Sequence, residues 1–314
     1  MANLLQNKKN YLKKGGDKDK YMKQMFETHK HLFEYPKLIK NSPVKKIEIT
    51  DEGVIFTVRK GNKSIMVCCD NRDIYSIPLT YLNLSQISAS EENENNMILK
   101  IIKPGDVVFD IGANIGWYTL LILYEKKGTS VYSFEPIKSS YEYMVKNLKL
   151  NNYTAAKAYC FGFSNQNKKV KFYFDIEVAT ASSMANLREA GCTIREECQV
   201  RRMDDFVPRL RLKKLDFIKC DVEGSEKLVF EGGIETIKKY KPIIFSEMLR
   251  KWSKKFNYHP NDIIGLLHGL DYECYVISKN KIRKFGQVKE STKETMYLFF
   301  HKTKHKKIIE KFIK

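Results

Sequence analysis

Residues 107–116 read Val107-Val108-Phe109-Asp110-Ile111-Gly112-Ala113-Asn114-Ile115-Gly116. An apolar run ends in an acid, and a glycine-spaced turn leads from that acid into a helical pattern. In open α/β sheets, ligands bind at the carboxyl ends of the strands, where such turns lie. Gly112 allows the backbone to approach a ligand, and Gly116 allows the next helix to pack near the strand. The segment therefore predicts a strand–turn–helix unit at the ligand edge of an α/β sheet.

The spacing of the turn indicates which ligand binds there. The pattern is Asp-x-Gly-x-x-x-Gly, which differs from the Gly-x-Gly-x-x-Gly of a dinucleotide site. A pyrophosphate binds a bare helix N-terminus, and the acid at the strand end would repel it. S-adenosylmethionine instead carries a cationic amino group and a sulfonium, which suit a carboxylate. The turn therefore favours S-adenosylmethionine as the cofactor.

Strand and helix patterns alternate from residue 106 onward, which predicts a mainly parallel sheet under helices. The last two strands have no helix between them and are expected to form an antiparallel pair at one edge. The predicted fold class is α/β, a Rossmann-like, mostly parallel, doubly wound sheet with this antiparallel edge pair and a small β-rich N-terminal region. Strands are predicted at residues 107–110, 130–135, 155–161, 170–174, 216–221, 243–247, 272–277 and 294–301, and helices at 116–126, 139–151, 225–240 and 260–270.

Four segments are expected along the chain. Residues 1–43 are lysine-rich and partly helical, with one helix over 21–33 that Pro36 and Pro43 keep short. Residues 44–89 form a small β-rich leader, and residues 90–301 form the ligand-binding domain. Residues 302–314 are basic with apolar positions on one face, which favours a short capping helix over a membrane-surface anchor.

The net charge of +19 comes from 56 Lys and Arg against 37 Asp and Glu. Such an excess favours anionic partners, including nucleic acid. Most of the positive residues are lysines, which are solvated point charges rather than bidentate readers of phosphate. A biased genome composition explains the same excess, and this interpretation is slightly favoured.

The apolar runs and the cysteines of the chain indicate its compartment and whether it binds a structural metal. No run of 18 apolar residues is free of charge, so a membrane span is not expected. The N-terminal lysines precede no apolar run, so no secretory signal is predicted and a cytoplasmic location is expected. The seven cysteines contain no Cys-x-x-Cys pair, which argues against structural zinc and a disulfide framework.

Three further acid-bearing segments follow the first one. Glu135 ends a strand 25 residues after Asp110, near the offset at which an acid binds a ribose in such folds. Asp221 ends a later strand, and Glu223 follows two residues on. Glu247 ends the next strand. Neighbouring strand ends meet at one edge of a sheet, so these acids are expected to surround a single site.

Methyl transfer needs an oxygen aligned with the methyl carbon and a base that accepts the hydroxyl proton. Asp221 is the first candidate for this base, with Glu223 and Glu247 as further catalytic candidates. His259 lies on a loop that could also reach the rim. Clustered acids also suit a divalent cation that polarises the hydroxyl. No metal site is predicted, and both roles of the acids stay open at this stage.

The three motif segments together resemble the FkbM-type class I S-adenosylmethionine-dependent methyltransferases, over residues 96 to 276. The family's first motif resembles this chain's Asp110-Ile111-Gly112-Ala113-Asn114-Ile115-Gly116-x-Tyr118-Thr119. The family's second motif resembles Phe134-Glu135-Pro136 followed by Asn147-Leu148-x-Leu150-Asn151. The family's third motif resembles Ile218-Lys219-x-Asp221-Val222-Glu223-Gly224-x-Glu226, with Pro242 and Glu247 beyond it.

The resemblance implies methyl transfer to a hydroxyl of a sugar, a glycan or a glycosylated metabolite. It also implies that Glu135 binds the ribose. The cofactor's amino-acid end would be held by the first motif, at Asp110, Gly112, Ala113, Asn114 and Gly116. Gly162 and Ser164 fall where the family has a turn near the adenine, although Gly162 and Asn165 depart from its usual Ala-Leu-Ser-Asp-like sequence.

Two other functions compete with this one. A nucleic-acid methyltransferase acting on RNA is favoured by the net charge, although the chain lacks an Asn-Pro-Pro-Tyr-type motif for base amines. A non-catalytic binding module is the third hypothesis, because a fold does not guarantee an activity. The intact acids Asp110, Glu135 and Asp221 argue against that loss.

Overall fold

The computed structural model describes residues 4–60, 63–69, 73, 76–84, 89–153, 156–175, 183–185 and 193–314. The strands are β1 Val44–Thr50, β2 Gly53–Lys60, β3 Lys63–Cys68, β4 Val107–Ile111, β5 Ser130–Phe134, β6 Lys157–Tyr159, β7 Gly162–Phe163, β8 Lys168–Asp175, β9 Thr193–Arg201, β10 Phe217–Cys220, β11 Ile243–Glu247, β12 Tyr272–Ser278, β13 Lys281–Lys284 and β14 Met296–His301. The α-helices are α1 Leu4–Lys14, α2 Lys18–His29, α3 Tyr35–Lys40, α4 Ile77–Leu84, α5 Ala89–Ile101, α6 Trp117–Glu125, α7 Lys138–Leu150, α8 Met203–Phe206, α9 Glu226–Glu231, α10 Ile234–Tyr240, α11 Arg250–Ser253, α12 Pro260–His268 and α13 Lys306–Phe312.

An eight-stranded sheet forms the centre of the protein, in the order β13-β12-β14-β11-β10-β4-β5-β6. The five strands from β11 to β6 are parallel, and β14, β12 and β13 are antiparallel to their neighbours. The predicted fold class is confirmed. The antiparallel edge differs in one respect, because β13 adds a third strand to the expected pair.

The strand order reverses between β4 and β10. After β4 the chain forms β5 and β6 on one side, and it then returns to place β10 on the other side of β4. Ile111 and Cys220, the last residues of these two strands, are paired in register. The amide of Asp221 donates to the carbonyl of Ile111 at 3.1 Å. The glycine turn after β4 and the acid after β10 therefore lie side by side at the edge where open α/β sheets bind ligands.

Both faces of the sheet are covered, which explains why its strands are continuous apolar runs. Phe109 and Ile218 belong to the hydrophobic cluster on one face, and Val108 and Phe217 belong to the cluster on the other. Successive strand residues point to opposite faces, so each strand supplies both clusters. The core holds the carboxyl ends of β4 and β10 in fixed positions.

The predicted helix over 225–240 is wrong, because the structure has two helices, α9 and α10. A Cβ atom on Gly232 would lie 2.0 Å from the carbonyl oxygen of Ser164, so only glycine allows this close approach. The carboxylate of Asp204 then accepts hydrogen bonds from the amides of Glu235 at 3.2 Å and Thr236 at 2.8 Å. A side chain distant in sequence thus caps α10 at its N-terminus.

The N-terminal region contains more helix than the sequence indicated. The single helix expected over 21–33 is replaced by α1, α2, a 3₁₀ turn and α3. Pro36 does not stop the chain from being helical, because it occupies the first turn of α3, where a missing amide hydrogen costs nothing. Within the described residues, α1, α2 and α3 contain no buried side chain.

The β-rich N-terminal region, β1 to β3, packs against α6 and α7 and shares a hydrophobic cluster with them. The fully buried Asn147 joins the layers. Its Oδ1 accepts from the amide of Cys68 at 2.7 Å, and its Nδ2 donates to the carbonyls of Cys68 and Ile115, each at 2.9 Å. Asn151 makes similar bonds to Met66. Asn147 therefore ties strand β3 to the glycine turn after β4.

The C-terminal helix α13 packs its apolar side onto the central sheet. Phe312 is buried there, and Ile308 and Ile309 pack against the same cluster. A search of the described residues for a helix that could cross a membrane found none.

We predict that Asn147→Leu destabilises the protein by about 3 kcal/mol or more, because three buried backbone groups lose their partner. Asn151→Leu is the matched control, and its partly exposed site predicts a loss of about 1 kcal/mol. Urea unfolding of both variants measures the difference. Equal losses would contradict the role assigned to Asn147.

Candidate active site

A cleft of 260 Å³ opens at the carboxyl ends of β4, β5 and β10. Its walls include the loops after these strands and residues of the segment that connects β3 to β4. The titratable groups among its described lining residues are Asp73, Glu91, Tyr118, Glu135, Lys219, Asp221 and Glu223. Five carboxyl groups thus face one lysine, and such a lining favours a cationic ligand over a phosphate.

Lys219 is the buried cation at the centre of this arrangement. Its Nζ lies 3.6 Å from Asp110 Oδ1 and 3.3 Å from Asp221 Oδ2, and it donates to the carbonyl of Gly112 at 2.9 Å. Burial lowers the pKa of Lys219, but the charges of Asp221 and Asp110 outweigh burial and raise that pKa overall. The lysine is therefore charged and links the ends of β4 and β10.

Asp110 is completely buried, with 0 % exposure, and is not among the described residues that line the cleft. Its Oδ2 accepts a hydrogen bond from the hydroxyl of Thr119 at 2.7 Å. Among the described residues, its Oδ1 has no hydrogen-bond partner, and the ammonium of Lys219 lies 3.6 Å from it. Asp110 therefore reaches the cleft only through Lys219.

Glu135 does line the cleft, although only 6 % of it is exposed. Its Oε2 accepts from the amide of Asn114 and its Oε1 from the amide of Ile137, each at 2.9 Å. Asn114 adopts a left-handed conformation with φ 48°, which aims its amide at the carboxylate. Burial raises the pKa of Glu135 to about 7, even though these hydrogen bonds lower it. Both oxygens are thus fixed in orientation, and each keeps a lone pair for a ligand.

Three carboxyl groups meet beside the cleft, where Asp221, Glu223 and Glu247 have oxygens within 4.8 Å of one another. Burial, followed by the charge of Asp221, raises the pKa of Glu223 to about 8. The same two causes raise the pKa of Glu247 well above its ordinary value. Two of the three groups therefore hold protons near neutral pH, while Asp221 is paired with Lys219. The three groups are also near enough to hold a metal ion.

A fourth acid, Glu226, supports the loop that carries Asp221 and Glu223. Its Oε1 accepts from the amides of Val222 and Gly224, each at 3.1 Å. The hydroxyl of Tyr258 lies 2.8 Å from the carbonyl of Gly224 and 3.1 Å from Glu226 Oε2. Tyr258 is the donor in both hydrogen bonds. Burial raises the pKa of Glu226 to about 7, although the amides that donate to its carboxylate lower that pKa.

The structure brings most of the predicted site residues together. The lining includes Gly112, Ala113, Asn114, Glu135, Gly162, Asp221 and Glu223, and Glu247 adjoins it. Gly112 is indispensable there, because it has φ 73° and a Cβ would lie 1.8 Å from the carbonyl oxygen of Asp221.

Four of the residues considered from sequence lie elsewhere. Asp110 is buried behind Lys219. Gly116 packs against Met144, and Ser164 is buried beside Gly232. His259 caps α12 through its Nδ1 and borders a different cleft, lined by residues of the loops before α12 and β14.

Two residues of the site, Lys219 and Glu226, have no role predicted from the sequence. Lys219 had a visible signal, because a lysine interrupts the apolar strand Phe217–Cys220, where a buried charge needs partners. Glu226 had no comparable signal, since an acid in the first turn of a helix is ordinary.

Comparison with known proteins identifies one family. The model of the "Methyltransferase FkbM domain" matches residues 110–274. Methyltransferase 1 of Beauveria bassiana is 24% identical over 144 residues, which cover 40% of this chain and 57% of that protein. The 31-O-demethyl-FK506 methyltransferase FkbM of Streptomyces tacrolimicus is 25% identical over 159 residues, covering 42% and 60%. The chain thus spans less than two thirds of the length of these curated relatives.

Solved structures give more distant matches. A crystal structure of Methyltransferase FkbM from Methylobacillus flagellatus matches with a TM-score of 0.43 and 16% identity, covering 74% of this chain and 55% of that one. A putative rRNA-methylase from Clostridium thermocellum matches with a TM-score of 0.42 and 12% identity, covering 68% and 95%.

We predict that Lys219→Met costs roughly 3–5 kcal/mol of unfolding free energy, because Asp110 and Asp221 lose their shared cation. Adding Asp110→Asn removes one of the two uncompensated charges and should recover part of the loss. Denaturant unfolding of the single and double variants tests this coupling. A double variant less stable than Lys219→Met would contradict the assigned ion pair.

The raised pKa of Glu226 predicts a pH dependence of stability. This pKa lies above its ordinary value in the folded state, so the contribution of Glu226 to stability is complete below about pH 4.5 and is lost as the pH rises through about 7. Glu226→Gln replaces the titrating carboxyl group with a neutral amide of similar size. The variant should fold and should flatten the decline in stability between pH 5 and 8, by up to about 3 kcal/mol. Thermal unfolding across this range is the measurement, with the exposed Glu235→Gln as control. An unchanged slope in Glu226→Gln would contradict the raised pKa of Glu226.

Proposed function

The chain belongs to the FkbM methyltransferase family, and from this membership we propose that it transfers a methyl group from S-adenosylmethionine to a hydroxyl group of a sugar, a glycan or a glycosylated metabolite. The observation that carries the proposal is the acid-lined cleft at the reversal of strand order, with Glu135 in its wall. A cleft with five carboxyl groups and one internally paired lysine suits a ligand with a sulfonium and an ammonium group.

The residues that would hold the cofactor follow from this geometry. Glu135 would bind the ribose hydroxyls through the lone pairs that its two amide donors leave open. Asn114 would bind the amino-acid end, beside the turn at Gly112. Asp110 would act as a positioning residue, because it holds Lys219 and thereby Asp221. When bound, S-adenosylmethionine supplies an activated methyl group on a good leaving group.

Asp221 is the proposed base. The ammonium of Lys219 lies 3.3 Å from its carboxylate, and this carboxylate would accept the proton of the acceptor hydroxyl. Glu223, with its pKa raised to about 8, can donate a hydrogen bond to the oxygen of the acceptor hydroxyl near neutral pH. Glu247, at the end of β11, completes the cluster. The proposed base therefore lies beside two carboxyl groups whose pKa values burial raises.

A hydroxyl acceptor is supported by a relative as well as by the acids. The Streptomyces tacrolimicus protein is named as a methyltransferase of 31-O-demethyl-FK506, which places its methyl group on an oxygen. The proposal that the acceptor is a sugar or a glycan rests on the resemblance of the motifs alone. A panel of free sugars, nucleotide sugars and glycan fractions, incubated with labelled S-adenosylmethionine, is therefore the first assay, with total RNA beside it.

RNA is the competing acceptor, since the chain carries a net charge of +19. RNA labelling, with an affinity whose logarithm falls steeply with the logarithm of salt concentration, would contradict the hydroxyl-sugar proposal. Failure to bind S-adenosylhomocysteine in calorimetry would instead favour a non-catalytic module.

We predict different defects for Asp221→Asn and Glu135→Gln. Asp221→Asn should bind S-adenosylhomocysteine within about threefold of the parent and lose roughly 100-fold or more in methyl transfer. Glu135→Gln should weaken that binding about tenfold, which corresponds to one lost hydrogen bond of about 1.4 kcal/mol.

Calorimetry and labelled methyl transfer, performed on the same preparations, separate the two defects. Methylation by Asp221→Asn at the parent rate would refute the base assignment. Unchanged binding by Glu135→Gln would refute the ribose contact.

A further inference from the structure

Residues 4–40 expose an unusual amount of apolar surface. Thirteen large hydrophobic side chains are exposed in the described part of the chain. Nine of them lie within residues 4–40, and these are Leu4, Leu5, Leu12, Met22, Phe26, Leu32, Phe33, Tyr35 and Leu38. We call α1 to α3, with the 3₁₀ turn Lys30–Phe33 between α2 and α3, the N-terminal arm. The arm has no core of its own, because none of its described helices buries a side chain.

The apolar side chains of the arm are arranged by helical periodicity. Leu4, Leu5, Tyr11 and Leu12 share one side of α1, where Leu4 and Tyr11, and likewise Leu5 and Leu12, lie two turns apart. Tyr21, Met22, Met25 and Phe26 share one side of α2. The rings of Tyr11 and Tyr21 stack with centroids 4.0 Å apart, which joins the two helices across the Gly15-Gly16 turn. Within the arm, α1 and α2 thus each have an apolar side, and Leu4, Leu12, Met22 and Phe26 on these sides are exposed.

The same segment is strongly basic. Residues 4–40 contain ten lysines and four acids, so the arm has a net charge of +6. A basic polar side combined with leucine, methionine and phenylalanine on the other is typical of helices that lie in the interface of an anionic bilayer. Acidic lipid headgroups attract the lysines, and the acyl boundary accepts the apolar side chains.

From this charge and exposure we propose that the N-terminal arm binds the surface of a membrane rich in anionic phospholipid. A second copy of the chain fits less well, because two arms of charge +6 repel each other. Nucleic acid fits less well too, because phosphate contacts would leave most of the leucine and methionine surface exposed. A bilayer satisfies both features of the arm at once.

The arm is connected to the part of the protein that forms the cleft. Helix α3 contacts β1 and α4, and Ile77, the first residue of α4, lines the cleft. Membrane binding through the arm would therefore hold the mouth of the site near a lipid surface. The proposal does not depend on the identity of the reaction in the cleft.

Sedimentation of the full chain with vesicles tests the proposal. The vesicles are phosphatidylcholine alone, or phosphatidylcholine with phosphatidylglycerol at about 3:1. We expect binding at least tenfold tighter to the anionic vesicles. The double variant Phe26→Gln with Phe33→Gln keeps the net charge and replaces two apolar side chains that are 58% and 74% exposed. It should weaken vesicle binding about tenfold. Ile49→Gln is the matched control, because Ile49 is 69% exposed but lies on β1, outside the arm.

A second pair of variants tests the charge. Lys13→Gln with Lys14→Gln should weaken binding to anionic vesicles, whereas Lys168→Gln with Lys171→Gln, on β8, removes the same charge and should not. Circular dichroism checks that the helices persist in each variant.

Three results would overturn the proposal. The first is no preference for anionic vesicles, and the second is equal binding by the arm variants and their controls. The third is that the parent chain does not bind vesicles but instead dimerises in sedimentation velocity or binds RNA, and that the double phenylalanine variant loses this dimerisation or RNA binding.

Discussion

The ammonium group of Lys219 holds together the two strand ends on which the site is built. It lies between Asp110 at the end of β4 and Asp221 after β10, and it donates to the carbonyl of the glycine turn. A buried cation of this kind is tolerated only when its charge is balanced and its hydrogen-bonding capacity is used. The pairing therefore sets the separation of the two strand ends, and it gives the cleft one acid whose charge is stabilised. It also explains why Asp110, the acid that first identified the turn, does not itself reach the cleft wall.

Glu223, Glu226 and Glu247 form no salt bridge with the described part of the chain, and this difference from Asp221 divides their roles. Burial raises the pKa of Glu226 to about 7 and of Glu223 to about 8, and it also raises that of Glu247. Asp221, which is paired with Lys219, thus lies among carboxyl groups whose pKa values are raised. Such a division is what proton transfer from a hydroxyl requires, because the base must be ionised while its neighbours must not repel the developing charge. As a result, the folded site favours protonated carboxyl groups. A rising pH therefore lowers the stability of the fold, whereas proton transfer in the reaction requires an ionised base.

The N-terminal layer has two parts with different physical characters. The small sheet β1 to β3 is integrated, because Asn147 satisfies backbone groups of both β3 and the glycine turn. The helical arm that precedes the sheet has leucines and phenylalanines in solvent and a net positive charge. The sheet is tied to the turn that forms the cleft, whereas the arm exposes apolar and basic side chains to solvent. Helix α3 joins the two parts through its contacts with β1 and α4.

The order of apolar runs, acids and glycines along the chain was sufficient to predict the α/β class, the parallel sheet and most of the residues around the cleft. These features depend on local periodicity and on the rule that parallel strands end at one edge, and both can be seen in a single sequence. Tertiary structure alone decided the break between α9 and α10, where Ser164 and Asp204 meet residues far away in sequence. It also decided that Asp110 contacts Lys219 rather than the cleft, and that burial raises the pKa of Glu226. Burial and pairing depend on which groups approach in space, and long-range contacts of this kind leave no periodic trace in the chain.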